Sequence, residues 1–407
     1  MTTEFLLDIS RLLSRIGRPV PTGIDRVELA YAEFLLRSAP ERLAFGTVAA
    51  GRGFAILPAS LGRRLVETLG ARWSGRPDMA SARRLALEAR LALLAPRRLR
   101  RPLGPRLYLL LSHHHLDRTA LIGRIKARAQ ARFCCLVHDL IPITLPEYAK
   151  PNQTQRHLRR MQTVAALADG VIVNSDSTGQ AVAEYLGPDH PPIHAAPLGI
   201  EVPPADPRPN APAIERPYFV VVGTIEAKKN HLMLLNVWRR LAQTHPEEIP
   251  RLVIVGQRGW MVTAVTDMLE RSPSIRAHVW EYNSLSDRAV DPLVRSARAL
   301  LMPSFAEGFG LPVAEALARG VPVLCSDLPA LRYAGGDAPE YLDPLDGPSW
   351  AAAILDYAKP NSPRRAAQLA RIERYVPPSW ERHFAQVMPF LDRIAEGRPA
   401  RPPRTCA

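Results

Sequence analysis

The sequence is poor in cysteine and has no motif that would hold a zinc ion. It contains four cysteines, Cys134, Cys135, Cys325 and Cys406, and no two of them form a Cys-x-x-Cys pair. The first two lie in an apolar run, where cysteine behaves as a small buried apolar residue. Free buried thiols are typical of a reducing compartment, so we expect a cytoplasmic protein without a disulfide framework or a structural zinc site.

Long apolar runs and several binding signatures are also missing. No run of about 18 apolar residues is present, so no membrane-spanning helix is expected. The opening MTTEFLLDISRLLSR lacks the apolar core of a signal peptide. The absence of Gly-x-Gly-x-x-Gly argues against a nicotinamide dehydrogenase. No helix-turn-helix, zinc-finger or RNA-binding signature is found, so nucleic acid is not an expected partner.

Positive charge is what the sequence has in excess. Lysine and arginine number 53 against 39 acidic residues, which gives a net charge of +14. This balance favours phosphorylated substrates or an anionic membrane. A basic, mostly helical stretch from Arg63 to Arg101 ends in an arginine cluster at Arg97, Arg98, Arg100 and Arg101. Such a helix either lies on an anionic membrane or is an ordinary solvated surface helix, and the sequence leaves both open.

The stretch from Leu300 to Pro322, LLMPSFAEGFGLPVAEALARGVP, is where chemistry is most clearly indicated. It predicts a buried strand, a glycine turn and a helix that starts near Pro312. The start of a helix attracts phosphate because its N–H groups are unpaired. Glu307 in the turn and Glu315 in the helix can accept hydrogen bonds from sugar hydroxyls. Phosphate and sugar together suggest a sugar nucleotide.

The arrangement Glu307-x7-Glu315 within EGFGLPVAEALARGVPVLCSD closely resembles the signature of the retaining glycosyltransferases of family 4. The form of the motif is similar to bacterial exopolysaccharide and O-antigen mannosyltransferases. The resemblance implies an α/β protein with the GT-B fold, in which two Rossmann-like, doubly wound parallel-sheet domains face a cleft. The alternative is a buried helix with a charged rim and no ligand.

The predicted domains follow from this resemblance and from a stretch with six prolines at Val202–Pro217. They are an acceptor-binding domain over 1–201, a linker over 202–217, a nucleotide-sugar domain over 218–375, a helix crossing back to the first domain over 376–396, and a mobile tail over 397–407.

A second landmark, VGTIEAKKNH, follows the strand that opens the second domain. It resembles the family segment in which a lysine neutralises the donor diphosphate, and Lys229 matches that lysine best. Many members carry an arginine just after the glycine, where this chain has Thr224, and Lys228 is the alternative source of a second phosphate contact. The predicted donor-binding residues are Gly223, Lys228, Gly308, Phe309, Gly310, Leu311 and Glu315.

In the first domain, VHDLIP is similar to a family segment whose histidine contacts the donor sugar, and this role is carried to His138. His138, Lys229 and Glu307 are therefore the predicted catalytic residues. The loop at Thr22 and Gly23, with Arg26, loosely matches the family's acceptor and phosphate loop, or it is an ordinary helix cap. Three consecutive histidines, His113 to His115, do not share a face, so no metal site is expected there.

The predicted reaction is transfer of a hexose from a nucleoside diphosphate to an acceptor hydroxyl, with retention at the sugar carbon. The sequence contains no Asp-x-Asp, and we expect lysine and helix dipole to act instead of a metal, with no cofactor. GDP-mannose is the favoured donor and UDP-glucose or another UDP-sugar the alternative. The acceptor is expected to be a growing bacterial polysaccharide, as an oligosaccharide linked to a polyprenyl diphosphate. A lipid-linked acceptor of this kind favours a protein that lies peripherally on the inner face of the plasma membrane. A non-catalytic nucleotide-sugar-binding assembly protein and an epimerase of the same fold are the rivals.

Overall fold

A computed structural model describes residues 2–18, 20–49, 53–74, 79–93, 101–203, 214 and 217–397. By internal contacts the chain divides into two compact units. The first unit takes its described residues from Met1–Ile143, Asn152–Ala196 and Trp380–Ala407, and the second from Thr144–Pro151 and Pro197–Ser379. Arg97, Arg98 and Arg100, most of the predicted linker and the tail beyond Gly397 lie outside the described residues. The domain limits drawn from the sequence stay predictions.

The first unit is built on a sheet with seven strands in the part of the chain that is described, in the order β3-β2-β1-β4-β5-β6-β7. All neighbouring strands are parallel except β2 and β3, an antiparallel pair at one edge. The strands are β1 (Glu4–Asp8), β2 (Leu43–Ala49), β3 (Gly53–Ile56), β4 (Arg106–Leu110), β5 (Arg132–Val137), β6 (Gly170–Val173) and β7 (Ile193–Ala195).

Helices cover this sheet and make its parallel crossovers. They are α1 (Ser10–Arg15), α2 (Gly23–Ser38), α3 (Ala59–Trp73), α4 (Met79–Ala92), α5 (Thr119–Ala129), α6 (Ile141–Thr144), α7 (Gln153–Leu167) and α8 (Asp176–Leu186). The central strands β4 and β5 are buried almost along their full length, as expected of parallel strands covered on both faces.

The second unit has its own sheet, which in the described part has six parallel strands in the order β10-β9-β8-β11-β12-β13. The strands are β8 (Tyr218–Val222), β9 (Arg251–Val255), β10 (Val279–Tyr282), β11 (Ala299–Met302), β12 (Val323–Ser326) and β13 (Glu340–Leu342). Its helices are α9 (His231–Thr244), α10 (Thr263–Arg271), α11 (Pro273–His278), α12 (Asp287–Arg295), α13 (Leu311–Leu317), α14 (Pro329–Gly335), α15 (Gly347–Ala358) and α16 (Pro363–Ile372).

Both sheets therefore have the doubly wound order, in which strands are added outward on either side of a central pair. Apolar clusters line the two faces of the second sheet, one around Trp238 and Trp350 and the other around Leu317 and Met302. The predicted α/β class with two parallel-sheet domains is confirmed. The antiparallel edge strand β3 is the exception to the parallel arrangement.

The last described helix, α17 (Trp380–Glu396), belongs to the first unit. Its Phe384 ring stacks on Phe34 of α2 with a centroid separation of 3.8 Å. The hydroxyl of Tyr31 and Nε2 of His383 are hydrogen-bonded at 2.7 Å, with both residues fully buried. Aromatic packing and this bond fix the C-terminal helix to the start of the chain.

Candidate functional site

The carboxyl edge of the second sheet brings together two residues that are 78 positions apart in the chain. Lys229 follows β8, and Glu307 follows β11, the strand that pairs with β8. Lys229 Nζ lies 2.6 Å from Glu307 Oε1, and the two side chains are only 15% and 8% exposed. The structure therefore joins two predicted catalytic residues in one buried ion pair.

Lys228 and Glu226 extend this pair into a four-residue charge cluster. Lys228 Nζ lies 3.5 Å from Glu226 Oε1. Burial raises the pKa of Glu226, while the charges of Lys228 and Lys229 oppose the rise. Burial acts in the same direction on Glu307, but Lys229 and Lys228 outweigh it and hold the pKa of Glu307 below its ordinary value. Glu307 is therefore an ionised carboxylate at neutral pH.

A backbone bond connects the two loops that carry these charges. The N–H of Phe305 donates to the carbonyl of Lys228 at 2.8 Å. This bond links the lysine loop directly to the turn that holds Glu307.

Glycines make the tight approach of these loops possible. Gly310 has a φ of +96°, and a Cβ at that position would lie 2.4 Å from a methyl carbon of Leu331. At Gly256, which follows β9, a Cβ would lie 1.8 Å from the carbonyl oxygen of Gly223. Gly223, predicted to bind the donor, is thus part of a close backbone contact between adjacent strand ends.

The predicted helix after the turn is α13, which begins at Leu311 with Pro312 in its first turn and ends at Leu317. Glu315 lies in its second turn and is half-buried. The ring of Phe309 is only 4% exposed and packs edge-on against Tyr333. Phe309 can therefore meet a ligand only through its backbone, as can Gly308 and Gly310.

An aromatic group beside the signature turn was missed from the sequence. The Tyr148 ring stacks on Phe305 with centroids 5.4 Å apart and planes 7° from parallel. The Tyr148 carbonyl accepts a hydrogen bond of 3.1 Å from Trp260 Nε1, and Lys150 Nζ lies 4.3 Å from the centroid of the Trp260 ring. Tyr148 and Lys150 belong to the segment Thr144–Pro151, which packs within the second unit. In the sequence this segment contains LPEY, and the structure folds Pro146–Tyr148 into a 3-10 turn.

In the first unit, His138 follows β5 at the carboxyl edge and is 6% exposed. Its Nε2 lies 2.9 Å from the carbonyl of Leu111, which can only accept, so Nε2 carries the proton. Its own carbonyl accepts from the Asn174 amide at 2.9 Å. Burial lowers the pKa of His138 to about 4 despite the hydrogen bond to Leu111 and the charge of Asp139. His138 is thus a neutral imidazole whose Nδ1 holds the lone pair.

The neighbouring histidines form a network with His138. The His113 ring lies 5.3 Å from that of His138 and 5.1 Å from that of His157, in edge-to-face arrangements. Burial, followed by the charges of the neighbouring histidines, lowers the pKa of His113 well below its ordinary value. Within the described ranges no three His, Cys, Asp or Glu side chains are grouped as metal ligands.

The predicted acceptor loop is a helix cap. Thr22 is the N-cap of α2, which begins at Gly23: its Oγ1 accepts from the N–H of Asp25, and its own N–H donates to the Asp25 carboxylate at 2.8 Å. Arg11 adds bonds to both residues, 2.6 Å to Asp25 and 3.0 Å to Thr22. Arg26, one residue further along α2, is half-buried. Capping accounts for Thr22, and a ligand role for this loop stays a prediction.

Two buried acids near this loop were not expected from the sequence. Asp8 accepts hydrogen bonds from the Ser10 N–H at 2.9 Å and from the Tyr108 hydroxyl at 2.8 Å. Glu28 is fully buried, and burial together with the charge of Asp8 raises its pKa to about 8. Glu28 lies on α2, and no motif in the sequence around it indicates a buried acid.

Comparisons with known proteins agree with the signature stretches. The model of a family described as family 4 glycosyltransferase in conflict systems matches residues 124–328, half of the chain. The serotype-specific mannosyltransferase WbdA of Escherichia coli is 28% identical over 238 residues, which cover 52% of this chain and 29% of WbdA. The O-antigen chain mannosyltransferase B of Escherichia coli is 32% identical over 171 residues, 42% of this chain and 44% of that protein. The matched region thus spans less than half the length of either relative.

Among solved structures, the Anabaena protein HepE in complex with UDP superposes with a TM-score of 0.60 at 16% identity. The match covers 98% of this chain and 99% of HepE. At this identity the likeness shows the fold alone.

Proposed function

This chain belongs to the family 4 glycosyltransferases, and from that premise we propose that it transfers a hexose from a nucleoside diphosphate to a sugar hydroxyl with retention of configuration. The observation that carries the proposal is the buried Lys229–Glu307 pair at the carboxyl edge of the second sheet, where doubly wound sheets bind their ligands.

The pair suits the central problem of the reaction, which is the negative charge that grows on the departing diphosphate. Fixed positive groups aimed at that charge lower the barrier. Lys229, with Lys228 beside it, supplies them, and the backbone N–H groups from Gly308 to Leu311 add hydrogen-bond donors. Each lysine is partnered by a carboxylate before the donor arrives.

Donor binding then exchanges partners within the cluster. When the diphosphate takes Lys229, the ionised Glu307 loses its main partner and becomes an acceptor for sugar hydroxyls. Glu315 on α13 accepts from the ribose. The substrate thereby rearranges the ion pairs of the cluster, and the sugar is held next to the departing diphosphate.

His138, in the first unit, is a neutral imidazole. Since Nε2 donates to Leu111, Nδ1 can accept a hydrogen bond from a sugar hydroxyl. With a pKa of about 4, it neither adds positive charge nor changes state above pH 5. The contact with the donor sugar that the family resemblance implies for His138 stays a proposal on that basis.

The proposed donor is GDP-mannose, supported by the mannosyltransferase relatives, WbdA and mannosyltransferase B. The alternative donor is a UDP-sugar, supported by the fold shared with HepE, whose structure contains UDP. We propose metal-independent binding, since the lysines supply the positive charge and the sequence has no Asp-x-Asp.

The proposed acceptor is an oligosaccharide on an anionic lipid, approached at an anionic membrane surface. None of the described helices is long and apolar enough to cross a bilayer. The helix α4, however, exposes Leu87 by 59% and Leu91 by 54%, one turn apart, with the exposed Arg83 and Arg84 beside them. Exposed leucines flanked by arginines are typical of helices that lie on anionic lipid. Sedimentation with anionic but not neutral liposomes at low salt, lost in Leu87→Glu, is the expected result.

Calorimetry with GDP-mannose, UDP-glucose, UDP-galactose and UDP-N-acetylglucosamine, with and without chelator, tests the donor proposal. We expect one donor to bind, binding to survive chelation, and affinity to be lost in Lys229→Met and Glu315→Ala. Binding that requires a divalent cation would contradict the metal-free mechanism. Product analysis of reactions with oligosaccharides tests catalysis. Donor binding without sugar transfer to any oligosaccharide would favour the non-catalytic rival.

A further inference from the structure

Arg160 on α7 is a buried cation whose direct partner is a neutral side chain. It is 8% exposed, and its Nη1 lies 3.2 Å from Nδ1 of His157. Among the residues that the structure describes, its buried Nε has no hydrogen-bond partner. The nearby carboxylate of Asp117 is paired at 2.8 Å with Arg156, one turn earlier on the same helix.

The imidazole of His157 is held in the form that accepts from Arg160. Its Nε2 lies 3.1 Å from the carbonyl of Asp139, which can only accept, so Nε2 carries the proton and Nδ1 the lone pair. Burial lowers the pKa of His157, so the ring is neutral at neutral pH. Arg160 therefore has a neutral hydrogen-bond acceptor as its direct partner, and no carboxylate of the described residues forms an ion pair with it.

A buried charge of this kind is unfavourable unless it is paired. Burial, followed by the charge of Arg156, lowers the pKa of Arg160 to about 10, although Asp117 and Asp139 oppose this. The guanidinium thus remains protonated at neutral pH. The fold keeps a cation in a place that lowers its own stability, which indicates that something outside the described chain pairs with it.

The surroundings of Arg160 have the same character. Arg160 and Arg11 both lower the pKa of His113, which shows that the two cations act on one region. In the same region Asn174 is 3% exposed, and its Oδ1 has no partner among the described residues while its amide donates to His138. The region lies where β4, β5 and β6 end, on the carboxyl edge of the first sheet.

We propose that Arg160 anchors a subsite for an oxyanion, the phosphate or carboxylate group of an acceptor, at the carboxyl edge of the first sheet. The planar guanidinium matches the geometry of both groups, and His157 orients it. That the anion belongs to an acceptor rests on the proposed function, since the lysines of the second unit already serve the donor diphosphate. Oxyanion binding at Arg160 does not rest on it.

Thermal unfolding of the full chain with sodium phosphate or sodium glucuronate, against sodium chloride of equal ionic strength, tests the subsite. We expect phosphate, glucuronate or both to raise the Tm of the unmodified protein by at least about 2 °C. Arg160→Met should abolish this shift, and Arg160→Lys should reduce it. Arg159→Met is the matched control, because Arg159 is exposed on the same helix and its loss changes the net charge equally; it should keep the shift.

The stability of Arg160→Met without anion is the second readout. Since an unpaired buried charge is removed, this variant should unfold at the same or a higher temperature than the unmodified protein. An arginine that serves only the fold would give the opposite result. A lower Tm or failure to fold, an equal anion shift in Arg160→Met, or no shift in the unmodified protein would each overturn the subsite.

Titration with GDP and UDP separates the two possible sources of the anion. Unchanged nucleotide affinity in Arg160→Met supports an acceptor group. A tenfold loss would assign Arg160 to the donor phosphates and overturn the acceptor assignment. If the unmodified protein binds neither nucleotide while the Arg160-dependent phosphate shift persists, the proposed transferase function fails and the oxyanion subsite stands.

Discussion

Replacing Lys229 with methionine should destabilise the second unit and abolish donor binding together. Methionine keeps the length and apolar character of the lysine stem but removes the ammonium group, which lies 2.6 Å from Glu307. The Glu307 carboxylate, 8% exposed, then keeps only the charge of Lys228. Breaking a buried pair in this way lowers the free energy of unfolding by about 3–5 kcal/mol, and we expect the lower limit because Lys228 remains and Lys229 is partly exposed.

The coupling between the two side chains can be measured with a double-mutant cycle in urea. Glu307→Gln alone leaves Lys229 without its carboxylate, but the lysine reaches more solvent, so the loss should be smaller. The double variant should be destabilised by less than the sum of the two single variants, with an interaction energy of about 1–3 kcal/mol. Lys228→Met is the control, since its contact with Glu226 is longer, 3.5 Å, and its effect should be smaller.

The reasoning would be refuted by additive single substitutions. If the two changes in free energy sum to that of the double variant within about 0.5 kcal/mol, the pair is not a coupled buried contact. If Lys229→Met is as stable as the unmodified protein but loses the donor, Lys229 serves the ligand alone and the exchange of partners proposed for Glu307 is wrong.

Three further predictions concern other parts of the molecule. The pKa of Glu28 in the folded protein, about 8, lies above its ordinary value of 4.5, so between these pH values the folded state holds a proton that the unfolded state has released. Glu28 therefore lowers the free energy of unfolding as the pH rises through this range, by up to about 1.4 kcal/mol per pH unit. Denaturation experiments should show that Glu28→Gln stabilises the protein more at pH 8 than at pH 5, and an equal effect at both would contradict this. Tyr148→Ala should speed amide hydrogen exchange at Phe305 and weaken donor binding. Tyr148→Phe keeps the stacked ring and should leave both the exchange rate and donor binding as in the unmodified protein. An unchanged exchange rate in Tyr148→Ala would show that the stack does not hold the signature turn. Gly310→Ala should lower stability by about 1–3 kcal/mol, because a left-handed φ and contact with Leu331 both oppose a side chain; an unchanged Tm would contradict it.

The second unit could be predicted further than the first because its signals are local. The ends of buried strands such as YFVVV and RLVIV can be recognised in the sequence, because a glycine directly follows each of them. Since the carboxyl ends of parallel strands meet at one edge, Lys229 and Glu307 could be placed on the same edge. Their direct contact could not, because it depends on β8 and β11 being neighbours, which no local pattern indicates.

The residues that were missed all act through contacts with distant parts of the chain. Glu28 lies on α2, and the groups that act on its carboxyl, the charge of Asp8 and the hydrogen bonds from Leu12 and Ser112, come from other parts of the chain. Tyr148 and Phe305 are far apart in the sequence, and a single tyrosine between prolines does not indicate which ring it stacks on. The Thr22 loop shows the converse: Thr22-x-x-Asp25 is a local capping pattern, and the structure forms it.

The two units also differ in how they treat positive charge. In the second unit, Lys228 and Lys229 each have a carboxylate partner in the free protein. A diphosphate that binds there displaces these carboxylates, so each lysine exchanges one anionic partner for another. In the first unit, Arg160 has no such carboxylate, and an anion that binds there gains a pairing with no ion pair to break. Phosphate bound at Arg160 should therefore stabilise the first unit more than phosphate bound at a single surface arginine would. Arg160→Met removes the unpaired charge and should give much of the same stabilisation without ligand.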